Sequence, residues 1–285
     1  MDQHGIVLVM GITGAGKSSF INLLKPDAVS VGHGLASETK KLQAVQINLD
    51  SSNQRSITMI DTPGFDDSDL GVFNDAGIFE EIITHLTAQY ALKIPLRGIV
   101  YLHLINEVRF KGSGKKYLRV LERLVDGCGM LDSLILLTSQ WGGVNEADGI
   151  RREQELMTKY WAPLIKRGAH AYRFPRTREE ATSMILRLVT SNNNLVLSIQ
   201  KELIDKESRV SGGMDAKTWF KQEFGREMDG TIAEKVLEKT KKEKKRFWHR
   251  IYGHKGGVRI FASIFGFVLT VVGYVAAFGG VSGQP

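Results

Sequence analysis

Near the amino terminus, Gly11-Ile12-Thr13-Gly14-Ala15-Gly16-Lys17-Ser18 sets glycines, a lysine and a hydroxyl at the spacing G-x-x-x-x-G-K-[ST]. The chemistry this spacing suits is the holding of phosphate. Glycines let successive backbone N–H groups converge on anionic oxygens, and a helix starting just beyond adds a favourable dipole. Thr13, Gly14, Ala15, Gly16, Lys17, Ser18 and Ser19 would then surround the phosphates of a nucleotide. Lys17 would reach the β- and γ-phosphates, and the Ser18 hydroxyl would ligate Mg²⁺. The alternative is a glycine-rich turn with a chance lysine. The loop lies between an apolar run and a helical pattern, and this setting favours the phosphate reading.

A second cluster, Asp61-Thr62-Pro63-Gly64-Phe65, ends another apolar run. A carboxylate there can hold the magnesium shell through water, and the Gly64 N–H can sense a γ-phosphate. Between the two clusters lies a polar, glycine-rich stretch, residues 31–39. It offers Thr39, and less well Ser37, as a hydroxyl that coordinates Mg²⁺ when a γ-phosphate is present; a solvated loop threonine is the competing reading. The metal set is thus Ser18, Thr39 and Asp61, and the groups expected to act on the γ-phosphate are Lys17, Thr39 and Gly64.

Hydrophobic patterning shows which elements must position these residues. Ile6–Met10 reads as a fully buried strand stopped by Gly11, and a helix is expected from Lys17, ending before Pro26. Gln43–Leu49 alternates as a half-exposed strand does. Ser56–Ile60, Gly98–Leu104, Leu134–Thr138 and the shorter His170–Phe174 are further strand candidates. Helical patterns fall around 78–92, 114–126, 150–165 and 179–191. Strands alternating with helices predict an α/β fold, a mostly parallel sheet with helices on both faces and ligands at the carboxyl ends of its strands. Strand signals stop after residue 192, and 195–207 and 216–250 look helical and charged. We therefore expect a phosphate-loop domain over 1–192, a helical, basic extension over 193–256 and a terminal segment over 257–285.

Charge is concentrated in that extension. Residues 241–259 hold eight Lys/Arg against Glu243, which equals the whole net charge of +7 and leaves the rest of the chain neutral. A nucleic-acid-binding face on the main domain is therefore not expected. Cys128 is the single cysteine, so no intrachain disulfide can form, and a reducing compartment is the natural reading. The apolar run Ile6–Met10 is too short for a signal peptide. Ile260–Val281, in contrast, is uncharged and would span about 33 Å as a helix, against about 30 Å of bilayer hydrocarbon. The basic block precedes it and Phe247, Trp248 and Tyr252 flank it. These features predict a membrane anchor with its N-terminal side cytosolic, on the cytoplasmic face of an intracellular membrane, in the tail-anchored manner. A buried core helix is the competing reading.

Taken together, GITGAGKSSFIN, Ser37-Glu38-Thr39 and DTPGF resemble the translation-factor-related P-loop GTPases. Within that class the chain resembles the septin, immunity-associated and plastid-import-receptor branch, and most closely a group of fungal G-domain proteins. The resemblance covers about residues 5–192 and extends to Tyr172-Arg173-Phe174 and Glu180-Ala181, which resemble the region of the fifth G motif. It implies a G domain that takes GTP or GDP with Mg²⁺. The family reads guanine with [NT]-K-x-D, and the matching strand end here is Thr138-Ser139-Gln140-Trp141. Trp141 stands where the aspartate would be, so the resemblance alone implies guanine. An indole can stack on a purine but cannot accept its N–H groups, and Trp141 reads either as a base contact or as packing. Phe65 stands where faster relatives orient water with a glutamine. Relatives without it are slow or act as homodimers across the nucleotide; Arg55, Arg109 and Lys111 are candidate fingers in trans, or solvated surface charges. The function expected is slow Mg-dependent GTP hydrolysis by a membrane-tethered switch or assembly module. The alternative is a nucleotide-binding scaffold with little or no turnover.

Overall fold

The computed structural model describes residues 5–29, 42–50, 55–64, 72–107, 113–191, 194–204, 215–228 and 238. Thr39, Ser37, Phe65, Arg109, Lys111, the basic block 241–259 and the apolar run 260–281 lie outside the described residues. The chain divides into two compact units, Met1–Asp75 with Pro95–Leu197, and Ala76–Ile94 with Ser198–Pro285.

The first unit is built on a six-stranded sheet of β1 (Ile6–Gly11), β2 (Gln43–Asn48), β3 (Ser56–Asp61), β4 (Leu96–Leu104), β5 (Leu134–Ser139) and β6 (His170–Arg173). Its order is β2-β3-β1-β4-β5-β6, and β2 is the one antiparallel member, lying against β3. Every residue of β1, β3 and β5 is buried, as continuous apolar runs in a parallel sheet require. β2 alternates instead: Val45 and Ile47 are buried while Gln46 and Asn48 are exposed, which suits an edge strand. The antiparallel hand of β2 is not visible in its own alternation; it follows from the pairing of Gln43 with Asp61 and Asn48 with Ser56.

The helices of this unit are α1 (Lys17–Leu24), α3 (Ser113–Val125), α4 (Glu146–Glu155), α5 (Ala162–Lys166) and α6 (Arg178–Thr190). The pattern expected over 150–165 is interrupted: α4 passes through a π-helical turn, Leu156–Tyr160, before α5 begins. Phe20, Ile21 and Leu24 of α1 are buried, each worth about 1.5–3 kcal/mol of apolar transfer. Phe20 meets Phe174, just past β6, edge to face at 6.2 Å between ring centres. This contact ties the phosphate-loop helix to the last strand.

The second unit holds the body of α2 (Val72–Ala91) with α7 (Ser198–Ile204) and α8 (Ala216–Phe224). Its centre is aromatic: the Phe79 ring lies 5.4 Å from Trp219, 6.0 Å from Phe220 and 5.6 Å from Phe224. The buried Gln200 amide donates to Leu86 O at 2.8 Å and to Gln89 Oε1 at 2.9 Å, and Arg226 pairs with Glu80 at 2.8 Å. Helix α2, part of the 1–192 segment by sequence, thus belongs mostly to this unit. Among the described residues no helix is long and apolar enough to cross a membrane.

Candidate functional site

Strand register brings the chemistry to one end of the sheet. Val9 pairs with Asp61, Gly11 with Leu102, Leu104 with Ser139 and Thr138 with Arg173, so the carboxyl ends of five parallel strands lie in a row. The loop Ile12–Gly16 leaves β1 there and turns directly into α1. Gly16 makes this turn in the left-handed region at φ 88°, a conformation that disfavours any side chain. The turn leaves the first N–H groups of an eight-residue helix without intrahelical partners, next to the loop amides.

Lys17 is buried at 6% exposure, and its ammonium donates to Gly11 O at 3.1 Å and Ile12 O at 3.0 Å. Burial lowers its pKa from 10.5 to about 8, and the nearby Asp61 carboxylate opposes that shift. The side chain is therefore folded over its own loop, where a phosphate would be a better partner than two neutral carbonyls. Ser18 Oγ donates to Asp61 Oδ2 at 2.8 Å. A hydroxyl and a fully buried carboxylate side by side are hard oxygen donors, and they fit Mg²⁺. Among the described residues no group of three His, Cys, Asp or Glu could hold an ion by itself. A cation on Ser18 and Asp61 would thus draw further ligands from phosphate and water rather than from another described carboxylate.

After Asp61 the chain is anchored by Thr62, whose hydroxyl donates to Val9 O at 2.9 Å. This sets Gly64 against the phosphate loop so tightly that a Cβ there would lie 2.6 Å from Thr13 Cα. Only glycine permits that approach, and it brings the Gly64 backbone to the loop that would hold the phosphates.

On the other side, Ala15, Gly16 and Ser19 form one wall of a cavity of about 550 Å³. Ser139, Gln140, Trp141, Glu146, Arg173 and Phe174 contribute to the opposite wall. Thr138 is fully buried; its hydroxyl donates to Glu153 Oε1 at 3.2 Å and accepts from Trp141 Nε1 at 3.1 Å. The same indole N–H reaches Thr138 O at 3.2 Å. The Arg173 guanidinium covers the Trp141 ring at 3.8 Å, and Gly149 of α4 meets the ring closely, a Cβ there lying 2.6 Å from it. Trp141 is thus a packed post that carries Arg173. Ser139 lines the cavity, but its hydroxyl donates to His103 O at 3.2 Å.

Gly11, Thr13, Gly14, Ala15, Gly16, Lys17, Ser18, Ser19, Asp61 and Gly64 are therefore gathered at one end of the sheet, with Ser139 and Trp141 across the cavity and Thr138 beneath them. Arg55 is exposed at the start of β3, the opposite end of that strand from Asp61. Three groups escape a reading of sequence alone. Gln140, in the left-handed region at φ 60°, donates from Nε2 to Gly14 O at 3.0 Å and links the far wall to the phosphate loop. Glu153 grips Arg173 through Nε at 3.1 Å and Nη2 at 2.8 Å. Glu146, in the first turn of α4, supplies a carboxylate to the cavity. The resemblance of Tyr172-Arg173-Phe174 to a G motif pointed at the Arg173 strand end, but nothing in the local sequence singles out the Gln140, Glu153 or Glu146 side chains.

Residues 6–122, under half of the chain, match the model of a family described as 50S ribosome-binding GTPase. No curated protein matches the chain. Among solved structures the chain is similar to a bacterial selenocysteine-specific elongation factor EF-Sec, at 16% identity over 67% of this chain and 29% of that one, TM-score 0.46. It is similar also to Toc33 from Arabidopsis thaliana, solved with GDP and Mg²⁺, at 14% identity over 68% of this chain and 87% of that one, TM-score 0.49. A third is Era in complex with MgGDPNP and nucleotides 1506–1542 of 16S ribosomal RNA, at 15% identity over 68% of this chain and 59% of that one, TM-score 0.48. The chain spans about a third of the length of the first two elongation factors it matches, 29% and 36%. The sheet order and the loop geometry are those of an α/β phosphate-loop fold, and residues 6–122 are similar to the 50S ribosome-binding GTPase family. No finer branch of that class is distinguished.

Proposed function

We propose that the chain is a GTP-hydrolysing enzyme of slow intrinsic turnover that works tethered to a membrane. The observation that carries the proposal is the assembled phosphate site: Lys17 folded over its loop, Ser18 bonded to Asp61 at 2.8 Å, and Gly64 pressed on Thr13. Ser18 and Asp61 would hold a Mg²⁺, which would neutralise charge on the phosphates. The protein's own part is positioning. Lys17 leaves Gly11 O and Ile12 O for the β- and γ-phosphates, Gly64 presents its N–H to the γ-phosphate, and Thr39 adds its hydroxyl to the cation. Slow turnover is supported by Phe65 at the place of a water-orienting side chain. The branch of glutamine-less relatives that the sequence resembles further suggests a homodimer across the nucleotide.

Tethering is supported by the uncharged run Ile260–Val281 and the basic block before it, which favour the cytoplasmic face of an intracellular membrane. The organisation is a G domain over 1–192, a helical, basic extension over 193–256 and an anchor over 257–285. Phosphate release from the full-length chain in detergent, with GTP and with ATP, tests the activity. Release from GTP that is abolished in Lys17→Met supports it, and no release above that variant overturns it in favour of the scaffold reading. Flotation with anionic liposomes tests the tether: the full chain rises and a chain ending at residue 240, without the basic block and the apolar run, stays behind.

A further inference from the structure

The cavity that faces the phosphate loop has an unevenly charged far wall. Among the described residues that line it, Glu146 is the one carboxylate, and it makes no hydrogen bond with any of them. Arg173 is its neighbour and feels its charge. The guanidinium is fixed on two sides, by the Trp141 ring beneath it and by Glu153 through Nε and Nη2. Nη1 remains as a donor that no described residue engages. The lining thus offers one carboxylate acceptor and two cations, Arg173, which Trp141 and Glu153 orient, and the exposed Arg176.

Building on the phosphate site argued above, we infer that Glu146 and Arg173 read the base of the nucleotide and select guanine. With phosphates on the loop, the base enters the far end of the cavity. Guanine presents two adjacent donors, N1–H and the 2-amino group, beside the O6 acceptor. A carboxylate accepts from both donors together, while Arg173 Nη1 donates to O6. Adenine carries an amino group where guanine has O6 and a lone pair at N1, so it opposes both groups. A site whose polar groups are covered by a ligand that leaves them unpaired discriminates strongly against it. Glu153 and Trp141 act as positioning residues: they hold Arg173 so that one edge of its fork is presented. Glu146 also stands in the first turn of α4, where an acid stabilises the helix dipole. A merely structural role would change stability and leave base preference untouched.

The test measures binding of GDP, xanthosine diphosphate and ADP to the full-length chain in detergent, comparing wild type with Glu146→Gln, Glu146→Ala and, as the phosphate-site control, Lys17→Met. Xanthine carries a carbonyl where guanine carries its 2-amino group, so the amide introduced by Glu146→Gln can donate to it. Wild type is expected to prefer GDP. Glu146→Gln should lose about ten- to a hundredfold in GDP affinity, gain affinity for xanthosine diphosphate and bind ADP within about threefold of wild type. Glu146→Ala should lose GDP affinity without the gain. Folding is checked by circular dichroism; Glu146 is exposed, so both Glu146 variants should fold. GDP binding within about threefold of wild type in both Glu146 variants overturns the assignment. Lys17-dependent binding that does not distinguish GDP from ADP in wild type overturns it too, while leaving the phosphate site standing. An absence of Lys17-dependent binding of any of the three overturns the phosphate-site reading itself.

Discussion

Replacing Lys17 by methionine should make the ligand-free protein more stable while abolishing its grip on nucleotide. The ammonium is buried, and burial holds its pKa at about 8 against 10.5 in an unfolded chain. At about 1.4 kcal/mol per pH unit that difference corresponds to about 3 kcal/mol. Below pH 8 the lysine is charged in both states, so the cost of burying the charge is present in full. Between pH 8 and 10.5 the unfolded chain holds a proton that the folded chain has released, and stability rises with pH. Above 10.5 the cost is gone. Methionine has nearly the same length and no charge, but its sulfur leaves Gly11 O and Ile12 O without a donor and Asp61 without a nearby cation. These losses offset part of the gain, so about 1–2 kcal/mol is expected at pH 7. The assay is urea unfolding of wild type and Lys17→Met at pH 7.0 to 10.5 without nucleotide. The advantage of the variant should shrink steadily above pH 8 and reverse near 10.5. A variant less stable than wild type at pH 7, or a difference that does not vary with pH, would refute the reasoning.

Three further outcomes follow from the same geometry. Asp61→Asn keeps the hydrogen bond from Ser18 but removes the negative charge, so the Mg²⁺-dependent part of GTP affinity should fall by about tenfold or more in a magnesium titration. Gly64→Ala forces a Cβ to within 2.6 Å of Thr13 Cα; phosphate release should be lost, and thermal unfolding should show a cost of about 1–3 kcal/mol. Burial holds His103 at about 4, below its usual 6.5, so the unfolded chain takes up the proton first on acidification. Stability should therefore fall by up to about 3 kcal/mol as pH drops from 6.5 to 4, and a His103→Leu variant should lose that share of the slope.

The sequence carried the parallel strands and the phosphate loop clearly, because both rest on local physics. Ile6–Gly11 is apolar at every position but its terminal glycine, and Gly16 must take a left-handed turn before Lys17 can open a helix. Asp61 was legible for the same reason, as a carboxylate at the carboxyl end of a buried strand. The far wall was not, because it is assembled from three separate segments. Trp141, read as either base contact or packing, receives its role from Arg173 above and Gly149 beside it, residues 32 and 8 positions away in sequence. Glu146 looks like any acid in the first turn of a helix until the cavity is seen. The reach of α2 into a second unit was equally hidden, since Phe79 finds its aromatic partners at residues 219–224.

The central claim is that this phosphate site turns over GTP. Its most direct test is steady-state phosphate release from the full-length chain with Mg²⁺ and GTP, measured beside Lys17→Met at equal concentration. The account predicts slow release that requires both Lys17 and Mg²⁺. Release equal in the two proteins would contradict it.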